Sequence, residues 1–298
     1  MLQEADRLKV PPHGRAGGLI LDEMAIQEDL QFMRSGDVYK LCGLTQMGVE
    51  NENWRELKQG NGQPKLANHV LQIHFLDKTG FRFPIAHFPT TQATAVDLNG
   101  IFWDAVENIE SYGFVIEYTN MDGAITNRQF LKMNFPPKAQ SQQQYCAISP
   151  VCPQQKIIFM MDYSHGTKKI RNSIYSSGSG GTRFLTYGAG DIVWKYWRQA
   201  YEWDSSNPIQ IHRKLTRNHI ELDNCAKVRN HLAEQVLDDD MQYLMCQFQQ
   251  SLSTNVLVLD PTLLLLEQNS KMIKIFRDAR PITHIEDPRL QQLKQVYC

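Results

Sequence analysis

Gly17-Gly18-Leu19-Ile20-Leu21-Asp22-Glu23-Met24 is a short apolar run that stops abruptly on an acidic pair. Leu19 to Leu21 are too few for a helix and too apolar for a surface, which marks a strand buried on both faces. Asp22 stands where that strand leaves the core, at a rim where a carboxylate can meet solvent and a metal ion. A strand-terminal Asp also caps turns and helices, so one such run decides little. The pattern recurs twice. Phe114 to Thr119 is a β-branched and aromatic run that leads to Asp122, with Gly123 free to turn the backbone sharply. Ile157 to Met161 is a third apolar run, ending on Asp162 ahead of Tyr163-Ser164-His165. Three strands that deliver a carboxylate at the same end converge on one site if they are sheet neighbours.

Composition narrows the class. The 298 residues suffice for one large or two ordinary domains, and 42% hydrophobic with 21% charged residues describes a chain with a packed core. A formal net charge of -1 gives no global attraction to phosphate, so nucleic-acid contact has to come from local basic patches or from a domain outside these residues. The six cysteines are scattered without a CxxC pair or a ligand-like Cys/His spacing, so no zinc module is visible. With no signal peptide, they read as free thiols in a reducing compartment. No apolar run approaches the ~20 residues that span a bilayer. The first core strand follows Met1 closely, and the chain reads as one that starts late.

Around the first strand, Arg34-Ser35-Gly36-Asp37 reads as a turn and Val38 to Cys42 as a strand. Gly48 to Lys65 is polar and reads as a surface loop. Leu71, Ile73 and Phe75 alternate with Gln72 and His74, and Phe81, Phe83 and Ile85 alternate again after a turn, giving an antiparallel meander. Pro89 and Thr90-Thr91 introduce a helix whose apolar stripe runs from Leu98 to Tyr112. Asn134 to Gln155 reads as a loop. A meander, a helix, then a strand carrying a second Asp is the order of an RNase H-like α/β fold. Ser176-Ser177-Gly178-Ser179-Gly180-Gly181 is a flexible hinge, beyond which Trp194, Trp197 and Tyr201, then Leu232 and Val236, then Met272, Ile275 and Phe276 fall at helical spacing. The expected organisation is an RNase H-like mixed sheet with helices over residues 1–175 and a mainly α-helical domain over 176–298.

The chain resembles the P element transposases and their domesticated THAP-domain relatives. The matching stretches are Ile20 to Met24 with Gln27 to Leu30, His69 to Leu71, Ala86 to Thr90, Asp122 to Ala124 with Asn127-Arg128, and Asp162 with Ser164-His165 and Lys168 to Asn172. Further on, Lys214 to Thr216 with His219, Leu232 to Val236, Arg280 to Ile282 and Asp287 to Leu290 look like the family as well. The resemblance implies a DDE-type catalytic core split by a helical insertion that binds GTP. It further implies Mg²⁺ (or Mn²⁺) as the catalytic ion, transposon-end and target DNA as partners, a homo-oligomer, and the nucleus as location. Asp22 and Asp122 match the first two catalytic acids. No residue here matches the third, a Glu beyond the insertion, and the family's N-terminal zinc-binding DNA module is missing too. A remnant that binds DNA, nucleotide or protein without cutting is the competing expectation.

Strand-end acids suit this chemistry because Mg²⁺ is a hard cation that prefers carboxylate oxygens, and two such ions can serve both sides of a phosphodiester exchange. Glu23 reads as a solvated or salt-bridged neighbour. Asp162 reads either as a further metal ligand or as a helix N-cap, and His165 either as lining the site or as a structural histidine. Asn127 and Arg128 read as braces of the turn after Asp122. Lys168, Lys169 and Arg171 form a DNA-contact candidate, against the plainer reading of a solvated helix face. No GxxxxGK[ST] occurs, so a P-loop is excluded and any nucleotide site uses dispersed residues, with Lys227 and Asp278 as candidates. Trp194, Trp197 and Tyr201 read as helix core ahead of base-stacking platforms.

Overall fold

The computed structural model describes residues 1–48, 65–135, 145–252 and 259–296. The chain forms two compact units, Met1–Asp162 and Tyr163–Cys298.

In the first unit, α1 (Leu2–Arg7) leads to β1 (Ala16–Ala25), β2 (Gln31–Ser35), β3 (Val38–Cys42), β4 (His69–Asp77) and β5 (Arg82–Thr90). Then follow α2 (Ala95–Ser111), β6 (Val115–Met121), α3 (Ile125–Asn134), β7 (Cys146–Ile148) and β8 (Lys156–Met161). Six strands make one sheet in the order β5-β4-β1-β6-β8-β7. The meander β5-β4-β1 is antiparallel, β1-β6-β8 is parallel, and β7 closes the edge antiparallel to β8. This is the mixed RNase H-like sheet that the order of elements predicts.

One face of the sheet carries the core. Leu19 and Leu21 of β1, Leu71, Ile73 and Phe75 of β4, and Ile157 and Phe159 of β8 are buried with Leu98, Phe102 and Val106 of α2 and Phe130 of α3. Phe102, Phe130 and Phe159 bind the two helices to β8, with ring centroids 5.4 to 5.8 Å apart and tilted. Each such pair contributes about 0.5–1.5 kcal/mol beyond its buried area. On the opposite face Ile158 and Met160 stay exposed.

Three local readings change. Pro89 and Thr90 end β5 and do not begin the helix. Thr94 caps α2 in a reciprocal box, its Oγ1 accepting the Asp97 N–H at 3.2 Å while the Asp97 carboxylate accepts the Thr94 N–H at 3.0 Å. Val38 to Cys42 is a strand, but it pairs with β2 in a separate two-stranded ribbon. The expected Asn134–Gln155 loop contains β7, a short edge strand that pairs antiparallel with the nearby β8. Residues 136–144 of that loop, and 49–64 of the Gly48–Lys65 loop, lie outside the described residues.

The second unit comprises α4 (Tyr163–Tyr175), β9 (Leu185–Tyr187), β10 (Gly190–Ile192), α5 (Trp194–Ser205), α6 (Arg217–Ile220), α7 (Asn224–Val228) and α8 (Asn230–Gln235). It continues through α9 (Asp239–Ser251), α10 (Asp260–Arg277) and α11 (Pro288–Val296). It is mainly helical, as expected. Trp194 and Trp197 stack at 5.6 Å in its core and donate their indole N–H groups to the carbonyls of Ile220 and Val236. That satisfies both polar ends indoors and leaves no base-stacking platform. The boundary falls at 162/163 and not after Tyr175. Ile174 is buried in the second core, and the fully buried Arg171 donates to the carbonyls of Ala226 and Lys227 on α7, which ties α4 into this unit. Ser176 to Gly181 is therefore a turn inside the unit, closed by hydrogen bonds between Gly178 and Arg183 and between Arg183 and Ser176.

Glycine at the start of β1 is required sterically. A Cβ on Gly18 would stand 2.2 Å from the Tyr118 ring, which lies across the strand with its hydroxyl donating to the Leu76 carbonyl. Gly18→Ala is expected to lower stability by about 1–3 kcal/mol through overpacking, with part of the loss recovered in Gly18→Ala/Tyr118→Ala. Chemical denaturation of the three chains checks this; an unchanged single variant contradicts the close approach.

Candidate functional site

Strand register builds the site. Leu19, Ile20 and Leu21 of β1 pair with Thr119, Asn120 and Met121 of β6. Asn120 and Met121 in turn pair with Met160 and Met161 of β8. Leu21 and Met121 turn into the core, so by the two-residue period of a strand their successors turn to the opposite face. Those successors are Asp22 and Asp122, and Asp162 holds the same place in the row because Met161, though exposed, pairs with Met121. The three acids stand side by side, one step beyond a single row, at the carboxyl ends of three neighbouring parallel strands. Adjacent strands are about 4.8 Å apart, so the row of backbones spans about 10 Å.

Each acid is held differently. Asp22 is exposed and has no hydrogen-bond or ion-pair partner among the described residues. The antiparallel ladder with β4 continues past it, Asp22 pairing with Gln72, while the parallel pairing with β6 stops at Leu21. Asp122 is half-buried, and its Oδ1 accepts the Ala124 N–H at 2.8 Å and the Asn127 amide at 2.7 Å. Asn127 thus braces the turn, as its spacing predicts. Asp162 is half-buried, and its backbone N–H donates to the Met121 carbonyl at 2.8 Å, which locks the third acid to the second. Glu23 is no solvated neighbour. Its Oε1 accepts the Thr90 hydroxyl at 2.6 Å and the Ala93 N–H at 3.1 Å, tying the end of β1 to the entry of α2. Two residues before Asp122, Asn120 carries a buried Oδ1 without a hydrogen-bond partner among the described residues.

The side chains of the row do not close on one another. Among the described residues the group of three ligand atoms lying within 4.8 Å of one another is His212, Asp238 and Asp240, in the second unit. Sequence spacing does not reveal that group, because His212 lies far from the Asp238-Asp239-Asp240 run. His212 is buried, its Nε2 sits 2.9 Å from the Gln235 carbonyl and 3.5 Å from Asp238, and Lys214 reaches Asp240 at 3.3 Å. Burial opposes the charge on His212, but the hydrogen bonds to Asp238 and the Gln235 carbonyl outweigh it and raise the pKa above 6.5. Asp238 also caps α9 through the Met241 N–H, so the positive helix end and two protein cations already balance these carboxylates.

The other candidates separate. Lys168 is half-buried and Lys169 exposed, while Arg171 is withdrawn from the surface altogether. Burial lowers the Arg171 guanidinium to about 10, which still leaves it protonated at neutral pH. Arg171 is thus an internal brace and presents nothing to DNA. Lys227 lies over the Tyr175 ring at 5.5 Å, whereas Asp278 ends α10 in a bond with Arg280 and a 3.4 Å pair with Arg289. The Arg280 hydrogen bonds hold the Asp278 carboxyl well below the usual range, and Arg289 holds Asp287 at about 2. Lys227 and Asp278 therefore have separate structural partners and form no common cradle.

A mixed six-stranded sheet with acids aligned at its parallel strand ends defines an RNase H-like protein. The family model of the TNP-like, RNase H N-terminal domain matches residues 5–134. The solved Drosophila P element transposase strand transfer complex has the same fold, with a TM-score of 0.70 and 15% identity over 95% of this chain and 58% of that one. The chain thus spans 58% of the length of that neighbour. No curated protein matches it. The family-model match lies within the first unit, and what the chain shares with the solved complex is the RNase H-like fold.

The two first acids should respond differently to truncation. Asp122→Ala removes a cap of the α3 turn and is expected to cost about 1 kcal/mol, while Asp22→Ala stays within about 0.5 kcal/mol of the parent; thermal melts without metal read both. The raised pKa of His212 gives a sign as well. Its stabilisation is complete below 6.5 and is lost as pH rises through the folded-state value. Between pH 6 and pH 8.5 the parent should therefore lose more stability than Asp238→Asn, which keeps the cap but not the charge; parallel stability curves would disprove the pairing.

Proposed function

We propose that residues 1–162 form the metal-binding part of a DNA strand-cleaving and strand-transferring centre. The observation that carries this reading is the register row that sets Asp22, Asp122 and Asp162 side by side at three parallel strand ends. The residues fit a hard divalent cation such as Mg²⁺ or Mn²⁺. They offer carboxylate oxygens only, and the orphaned buried Oδ1 of Asn120 behind them is an acceptor suited to an ordered water. A bound ion supplies activation of water or a DNA 3′-hydroxyl and neutralises charge developing on the phosphodiester.

The chain's own residues do the positioning. Asp22, exposed and without a partner among the described residues, turns toward a cation without breaking any bond they make. Asp122 is pre-aimed, because Ala124 and Asn127 fix its Oδ1 and leave Oδ2 for a ligand. Glu23 holds the end of β1 against the start of α2, so Asp22 projects from an anchored strand. Asp162 enters as the third carboxylate of the row. GTP, which the resemblance implies as an assembly cofactor, takes no part in the chemistry of this reading.

A second reading, DNA binding without cleavage, draws on the open spacing of the three carboxylates, which do not gather as His212, Asp238 and Asp240 do. Mn²⁺ titration followed by electron paramagnetic resonance, paired with nicking of supercoiled plasmid, separates the two. Cleavage predicts Mn²⁺ binding weakened at least about tenfold in Asp22→Ala and Asp122→Ala, with nicking abolished in both. Equal Mn²⁺ affinity in parent and variants would sink the metal centre. DNA affinity retained in both variants, with no nicking by the parent, would establish the second reading.

A further inference from the structure

The ribbon β2–β3 leaves the sheet at the same end as the acid row. Its root is anchored beyond β1: the Ile26 N–H donates to the Asn68 carbonyl, the Ala67 N–H to the Gly43 carbonyl, and Leu44 bridges to Leu66. From that root two five-residue strands project, joined through Gly36, whose φ of +64° makes the tight turn. An isolated two-stranded ribbon is marginal in water, so its surface composition tells what it meets.

The register sorts that surface. Phe32 pairs with Leu41 and Arg34 with Tyr39, which places an aromatic, an aliphatic, a cation and a second aromatic on one face. Met33, paired with Lys40, and Val38, paired with Ser35, fall on the other. Phe32 is 73% exposed, Val38 and Tyr39 67%, and Met33 57%. Large apolar groups thus protrude from both faces of one thin element. A protein surface laid against a ribbon covers one face and leaves the other wet. Two separated walls cover both, and the wall chemistry has to be flat and apolar with a phosphate nearby for Arg34. Nucleobases of an opened duplex have that chemistry: aromatic side chains stack on any base, and apolar wedges enter between base steps and unstack them.

We propose that the β2–β3 ribbon is a wedge that enters DNA beside the acid row and holds the two strands apart, with Phe32 and Tyr39 stacking on bases of one strand and Met33 and Val38 lying against the other. Arg34, whose Nε donates to the Gly36 carbonyl at 2.9 Å and whose guanidinium lies a loose 3.9 Å from the exposed Asp37, turns its remaining donors to the backbone of the stacked strand. The proposal rests on the reading of this unit as a DNA-processing centre, but it depends on contacts that the carboxylates do not make. The wedge opens the duplex at the rim where Asp22, Asp122 and Asp162 stand, and so presents a single strand to them.

The test compares a blunt duplex with the same duplex carrying a short central bubble flanked by 2-aminopurine, using the full 298-residue chain. The parent is expected to bind the bubble about tenfold more tightly than the blunt duplex, with 2-aminopurine fluorescence quenched by stacking. Phe32→Ala/Tyr39→Ala should erase both the preference and the quenching and leave blunt-duplex affinity and melting temperature unchanged, since both side chains lie outside the core. Asp22→Ala/Asp122→Ala should keep the preference, so failure of the metal centre and failure of the wedge are read separately. A parent without preference for the bubble overturns the proposal, as does a preference that survives the double aromatic variant. A DNA-free chain that passes from dimer to monomer in that variant overturns it too, by making the ribbon a contact between copies.

Discussion

Parallel pairing of β1 with β6, and of β6 with β8, is the constraint on which the first unit depends. It is a backbone interaction, fixed because a one-residue slip would turn Leu19, Leu21, Thr119, Met121, Ile157 and Phe159 out of the core together. The same pairing decides where the acids stand. Core burial sets the register, and the register sets the row, so the chemistry at the rim is inherited from the packing beneath it. The Asp162 N–H bond to Met121 and the Thr119 hydroxyl bond to the Leu19 carbonyl add polar stitches between the strands.

Around that row the polar residues divide into those that are satisfied and those that are not. Glu23 and Asn127 have their bonds within the fold, as does one oxygen of Asp122. Among the described residues, Asp22 and the Asn120 Oδ1 do not. A buried polar group without a partner, as the Asn120 Oδ1 is, costs stability and calls for an explanation such as an ordered water or a ligand. The second unit shows the contrary pattern at His212, Asp238 and Asp240, where a raised histidine pKa, a helix N-terminus and Lys214 already supply the positive charge. Proximity of ligands is therefore a poor guide by itself; the state of their partners decides.

Much of this architecture is legible in the chain. The alternation in Val70–Leu76, the apolar stripe of Leu98–Ile109 and the three apolar runs ending on acids all lie where the structure has strands and helices, because burial imposes periods of two and of about 3.6. Legibility fails where the deciding contact is distant. Arg171 looks like part of a basic surface, yet its neighbours in space are the carbonyls of α7. Glu23 looks solvated, yet Thr90 and the Ala93 N–H are waiting for it across the sheet. The boundary reads as the Gly/Ser stretch after Tyr175, since composition marks flexibility and not which core a helix joins.

The sequence alone determined the class of fold, the three acid-terminated strands and the helical character of the second half, because these follow from local hydrophobic periodicity and turn chemistry. Only the tertiary structure decided that the three acids share one row, that Arg171 is internal, that Asp278 is neutralised by arginines, and that an apolar ribbon projects beside the row. Those facts depend on which residues, far apart in the chain, the sheet and helices bring together, and a one-dimensional pattern does not carry that information.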